Sequence, residues 1–147
     1  MSQENYRKAN AIEKAFNRTY GFFVGLGIGA SYSYLLEVRG RKSGKIYSTP
    51  VSLMEISGKK FLVAPRGQTQ WVRNAEASGE ITLRRGSKRQ KYHLRPLSDN
   101  EKPEILKTYL DRYKSAVQKF FSIPAGSPVA AFIPVVQNYP AFEIFAA

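Results

Sequence analysis

Gly40-Arg41-Lys42-Ser43-Gly44 sets two cations and a hydroxyl between two glycines. Glycine admits positive φ and leaves backbone N–H groups open to close approach. Arg41 and Lys42 add charged donors, and Ser43 adds a neutral one. A corner of this kind suits a phosphate, although a solvated basic hairpin turn would use the same residue types. The spacing is not that of the nucleotide loop GxxxxGK[ST], so nucleotide hydrolysis is not indicated.

A second constellation is Ala64-Pro65-Arg66-Gly67-Gln68-Thr69-Gln70-Trp71-Val72-Arg73-Asn74. It reads as a strand end, a glycine corner and a helix start, whose free N–H groups can receive an anion. Arg66 could add a counter-charge. Trp71 and Asn74 are three apart and share a helix face. Taken alone, these residues favour a core tryptophan with an exposed asparagine.

Other chemistries are excluded by composition. The chain has no cysteine, which removes disulfides, thiolate metal sites and cysteine nucleophiles. His93 is the only histidine, so a multi-histidine metal centre is excluded and no metal is expected. The formal net charge of +12, from 23 Lys+Arg against 11 Asp+Glu, points to an anionic partner. Nucleic acid, an anionic membrane surface and a polyanionic cofactor all qualify on charge alone.

The elements that must position these residues follow from periodicity. Gln3–Arg18 reads as a short amphipathic helix with Ala9, Ile12 and Phe16 on one face. Its polar, charged character does not resemble a secretory leader, so a cytoplasmic location is expected. Thr19–Leu36 carries no charge over 18 residues, near the lower limit for crossing a bilayer. Four glycines and several tyrosines and serines break it, which favours a buried lead-in to the first strand. Peripheral membrane contact is the alternative kept open. Strand signals cover Tyr34–Arg39, Lys45–Ile56 and Lys60–Pro65, the last two joined by a turn at Ser57-Gly58-Lys59. A helix is expected over Thr69–Ser78, with Thr69 as N-cap and Gly79 as stop. Ile81–Arg85 and Gln90–Leu94 form a hairpin across Gly86-Ser87. Ser98-Asp99-Asn100-Glu101 resembles a capping box and opens a helix through about Phe120, with Leu106, Tyr109, Leu110, Tyr113 and Val117 on its core stripe. Ser122–Ser127 reads as loop, and Ala141–Phe145 as a final strand. Antiparallel hairpins with a few helices predict a single α+β domain over 1–147, built as a small barrel with helices packed on it.

The Gly-Arg-Lys-Ser-Gly corner, Pro50, the Ala64–Gly67 segment and the Trp71-Val72-Arg73-Asn74 block occur in an order that resembles the deazaflavin-dependent nitroreductase family. That family is a branch of the flavin/deazaflavin oxidoreductases with a split β-barrel. The resemblance covers roughly Leu36 to Leu97. It implies coenzyme F420 as cofactor, a deazaflavin with a phosphodiester and an oligoglutamate tail, whose negative charge suits this basic chain. By the resemblance, Lys42 and Ser43, with Arg41 beside them, would grip the phosphate. Pro50 and Val51 would lie along the deazaflavin ring. Ala64, Pro65, Arg66 and Gly67 would give backbone contacts near the ring's polar edge and ribityl chain, and Trp71 and Asn74 would close the far side. Ser52 stands where nitroreductase members often carry tyrosine, and Tyr113 and Phe120 are candidates for the later aromatic positions.

The function this implies is hydride transfer from reduced F420 to an electron-poor small molecule such as a quinone, an enone or a nitro compound. The cofactor carries the hydride, so no side chain is singled out as catalytic. The same barrel using FMN is one alternative. A basic barrel binding single-stranded nucleic acid through Tyr47, Phe61 and Tyr92 is another, less favoured because the cations gather at corners.

Overall fold

A computed structural model describes residues 32–147. The expected helix Gln3–Arg18 and most of the uncharged stretch Thr19–Leu36 lie outside the described residues. The remainder forms one antiparallel sheet with helices, an α+β split barrel as expected. Its strands are β1 Ser33–Arg39, β2 Ile46–Ser52, β3 Met54–Ile56, β4 Lys59–Val63, β5 Glu80–Arg85, β6 Lys88–Pro96 and β7 Ala141–Ala146. The helices are α1 Gln70–Ser78, α2 Lys102–Arg112 and the short α3 Lys114–Val117.

The strand order is β2-β1-β5-β6-β7-β4-β3. β2 and β3 therefore stand at opposite edges, yet only Leu53 separates them in the chain. A flat sheet cannot satisfy that connection, so the sheet must curl until its edges approach. Leu53 N–H bonds to the Tyr32 carbonyl at 2.8 Å and anchors the crossing point. The sequence pattern read Lys45–Ile56 as one strand. The apolar alternation slips by one residue at Leu53–Met54, the one local mark of the change of edge, which a single-strand reading passes over.

The curl divides the apolar residues between two cores, as β4 illustrates through its period of two. Leu62 and Ala64 join Leu36, Val38, Val72, Ile81, Leu83, Phe142 and Ile144 inside the barrel. Phe61 and Val63 face the other way and meet Leu106, Leu110, Phe132 and Val136 beneath the helices. The stripe on α2 is core, as its spacing predicts. The helix itself does not run to Phe120; it stops at Arg112, and Tyr113 (φ −115°, ψ 26°) separates it from α3. The i, i+4 stripe continues across that break, which conceals it in the sequence. A run of 3₁₀ turns, Val129–Asn138, was not anticipated; Pro134 inside it reads as a helix breaker.

Turn chemistry is followed closely. Ser57 and Gly58 both take positive φ (51° and 82°), the signature of a two-residue hairpin turn with the twist strands require. Gly79 ends α1 at φ 76°, its N–H bonding the Ala75 carbonyl. Thr69 occupies the N-cap position without a side-chain capping bond.

Half of the expected capping box forms before α2. Glu101 Oε1 accepts the Ser98 N–H at 2.9 Å, and Arg95 grips the same carboxylate at 3.0 and 2.9 Å while also reaching Glu143 at 2.9 Å. Arg95 first, then the Ser98 N–H, pulls the Glu101 carboxyl down from 4.5 to about 2. A depressed carboxyl stabilises the fold above its unfolded value and ceases to do so as pH falls through its folded value. Glu101→Gln should therefore flatten the acid limb of a melting-temperature profile between about pH 4.5 and pH 2. An acid limb identical to wild type would show that the pair is thermodynamically idle.

Candidate functional site

The β1–β2 connection is a tight basic corner. Gly40 N–H donates to the Lys45 carbonyl at 2.7 Å, and Gly44 N–H donates to the Gly40 carbonyl at 3.0 Å. Gly44 sits at φ 74°, where a side chain would strain the backbone. Gly40 is instead crowded. A Cβ there would lie 2.6 Å from the Tyr47 ring and 2.9 Å from Ser43 Oγ. Arg39 Nη1 donates to the Gly44 carbonyl at 2.8 Å and braces the corner. Lys42 stays exposed at the tip.

α1 holds this corner from the side. Asn74 Oδ1 accepts the Arg41 backbone N–H at 3.1 Å and Arg41 Nη1 at 2.7 Å, and Gln70 Oε1 accepts the same Nη1 at 3.0 Å. Asn74 is only 5% exposed, which reverses the sequence-based preference for an exposed asparagine. A buried amide on a helix interior is tolerated because its oxygen is doubly satisfied. The two constellations are thus one unit. Part of the Arg41 guanidinium is spent on the helix, which leaves Lys42 as the corner's outward charge.

The second turn lies at the end of β4. Gly67 N–H donates to the Ala64 carbonyl at 3.2 Å, with Pro65 and Arg66 between, a pattern for which proline in second place is well suited. Gly67 takes φ 84°, and a Cβ would meet the Asn138 carbonyl at 3.5 Å. Ala64 N–H bonds the Pro140 carbonyl at 2.8 Å, so the turn is tied to the chain leading into β7. Thr69 Oγ1 is buried here with no hydrogen-bond partner among the described residues.

Between the two turns runs β2. Its register pairs Pro50 with Leu35 and Val51 with Tyr34. Adjacent strand residues face opposite sides, so Pro50 and Val51 cannot present side chains to one surface. Val51 packs against the barrel core, on the face of Tyr47 and Thr49, while Pro50 takes the outer face. Trp71 also leans on the barrel core, its ring 6.1 Å from that of Phe142. Tyr113 is buried, its ring 4.7 Å from Tyr32, and its hydroxyl reaches the Leu53 carbonyl at 3.4 Å, long for a hydrogen bond. Burial raises the Tyr113 phenol above its ordinary range and keeps it protonated. Phe120 packs on the edge of the helical core.

Arg41, Lys42, Ser43 and Asn74 are therefore brought together, and Ala64–Gly67 forms a second turn next to α1. Gln70 and Tyr47 belong to the corner as well and were not foreseen as site residues. Gln70 sits one turn before Asn74 on α1, a spacing from which it could have been inferred. A hollow of about 430 Å³, lined in part by Glu37 and Arg39 on β1 and by Arg89 and Lys91 on β6, contains none of the anticipated residues. It lies on a mixed-charge surface that adjoins the Gly40–Gly44 corner through Arg39 and Ile46. The nucleic-acid alternative loses its platform, since Phe61 is 7% exposed and Tyr92 packs on the barrel core. Among the described residues there is no cluster of metal-ligand side chains, and no helix is long and apolar enough to cross a membrane.

A family model described as F420H(2)-dependent quinone reductase matches residues 6–122. Among solved structures, a protein of unknown function from Agrobacterium tumefaciens, Atu2129, aligns with TM-score 0.55 at 20% identity, over 79% of this chain and 48% of that one. The chain thus spans about half the length of that relative. An F420-H2 dependent reductase, FDR-A, aligns with TM-score 0.52 at 21% identity, over 81% of this chain and 100% of that one. A structure described as a domain-swapped dimer aligns with TM-score 0.55 at 18% identity, over 98% and 100% of the two chains. At these identities the structural likeness carries the fold. The comparison with curated proteins found no match.

Proposed function

This chain belongs to the F420H(2)-dependent quinone reductase family, and from that premise we propose that it binds coenzyme F420 across the Gly40–Gly44 corner and the Ala64–Gly67 turn and reduces a quinone. As a member it is an F420-dependent reductase; the quinone, and the residue assignments, are our reading. The observation that carries it is the Asn74 bond to Arg41, which joins the phosphate-type corner to the helix that follows the second turn.

The residues fit such a cofactor. A glycine corner with no room for a Cβ, an exposed Lys42 and two hydroxyls suits a phosphodiester. Val51 offers an apolar wall on the same strand. Pro50 would shape the backbone of β2 rather than share that wall. Ala64, Pro65, Arg66 and Gly67 would line the second turn, and Trp71 would stiffen the helix behind it. When bound, reduced F420 supplies a hydride, which a quinone takes up together with one proton from water to become the hydroquinone. The protein contributes binding, orientation and charge. The family match lends no support to FMN.

Fluorescence titration should give F420 binding at least about tenfold tighter than FMN, or ~1.4 kcal/mol. Turnover with reduced F420 should be faster per unit concentration on a soluble quinone than on an enone or a nitroaromatic. Equal or tighter FMN binding would overturn the cofactor assignment, and preference for another acceptor would overturn the quinone.

A further inference from the structure

Tyr47 is half exposed on an edge strand, with its ring lying against the basic corner. Gly40 lies directly beneath it, where an added Cβ would come within 2.6 Å of the ring and displace it. Its hydroxyl meets Ser43 Oγ at 3.2 Å, and Ser43 Oγ accepts the Lys45 N–H at 3.2 Å.

The protons can be counted. The Lys45 N–H occupies one lone pair of Ser43 Oγ, and a hydroxyl that accepts becomes a better donor. Either hydroxyl of the Ser43–Tyr47 pair can donate to the other. With an anion at the corner, the order in which Ser43 donates to Tyr47 Oη frees the Tyr47 proton at the solvent-facing end of a donor chain that begins in the backbone of the corner. We propose that Tyr47 is the neutral donor to the cofactor phosphate, and that Ser43 is a positioning residue acting through it. This rests on the F420 reading above and reassigns the direct contact expected of Ser43. It also divides the labour at the corner: Lys42 supplies charge, and Tyr47 supplies a directed, uncharged hydrogen bond.

The test uses two fluorescent probes, F420 and the deazaflavin riboside that lacks the phosphodiester. Tyr47→Phe should weaken F420 binding about three- to tenfold, the worth of a neutral hydrogen bond. Binding of the phosphate-free riboside should not change. The loss should be the same at low and high salt, because no charge is removed. Ser43→Ala should cost about twofold by itself and nothing further in the Tyr47→Phe background. Melting temperatures identify any variant that fails to fold, and Tyr47→Trp, which keeps a ring over Gly40 but moves the donor, should behave like Tyr47→Phe. Unchanged F420 binding by Tyr47→Phe overturns the inference alone, as does equal weakening of both probes. A full loss in Ser43→Ala with none in Tyr47→Phe would make Ser43 the donor and also overturn it. Failure of the wild-type protein to bind F420 would instead overturn the cofactor reading and this inference with it.

Discussion

Asn74→Leu is expected to lower the unfolding free energy by about 2–3 kcal/mol and F420 affinity by more than tenfold. The amide oxygen is the shared acceptor for the Arg41 N–H and Nη1, and the residue is almost fully buried. Leucine matches the volume but leaves a backbone donor and part of a guanidinium facing an apolar surface. Such orphaned donors cost more than the hydrogen bond itself was worth. The corner would lose its lateral support, and with it the geometry that presents Lys42 and Tyr47. Asn74→Asp separates the two consequences. It keeps the acceptor and strengthens it with charge, so the melting temperature should hold or rise. The added carboxylate would face the anion bound at the corner, and F420 affinity should still fall. Thermal melts and F420 titrations of both variants check this. A stable Asn74→Leu variant with wild-type affinity would show that the clamp is dispensable.

Lys42→Ala should weaken F420 binding roughly ten- to a hundredfold, as expected for a charge-assisted phosphate contact worth about 1.5–3 kcal/mol. Lys42 is exposed at the tip of the corner, so its removal leaves no cavity and the melting temperature should barely move. Its effect should shrink as salt rises, in contrast to that of Tyr47→Phe, because exposed charges are screened over about 8–10 Å at moderate ionic strength. Calorimetry at two salt concentrations measures both. A marked drop in stability with unchanged affinity would make Lys42 a structural residue.

Much of this architecture is visible in the chain because its punctuation is local. Ser57-Gly58, Gly86-Ser87 and Gly79 each mark an end within a few residues, and the hairpins and α1 follow from them. The features that escaped are those whose cause is distant. Leu53 looks like the middle of a strand because strand-type residues run on both sides of it; the slip of the alternation at Leu53–Met54 is the only local trace of the two edges that the sheet order shows. Tyr113 looks like the middle of a helix because the apolar stripe passes through it. Burial of Asn74 depends on Arg41, 33 positions away, and a carboxamide with no visible partner reads as solvent-facing. The opposite facings of Pro50 and Val51, by contrast, follow from a strand's period of two. The resemblance set Pro50 and Val51 along the ring and did not say which face of the strand each side chain takes.

The place of β7 bears on when the site comes into being. It lies between β6 and β4, so its pairing closes the sheet between two strand groups, β2-β1-β5-β6 and β4-β3, which the chain also connects at Leu53 and through α1. One group carries the Gly40–Lys45 corner, and the other leads into the Ala64–Gly67 turn. A chain emerging from the ribosome can form its early hairpins as they appear, but until Ala141–Ala146 is clear both groups keep an unpaired inner edge. Vectorial synthesis therefore closes the sheet that carries both glycine turns last. On the proposed F420 reading, the cofactor can lock the finished barrel, but it meets an unclosed sheet in the nascent one.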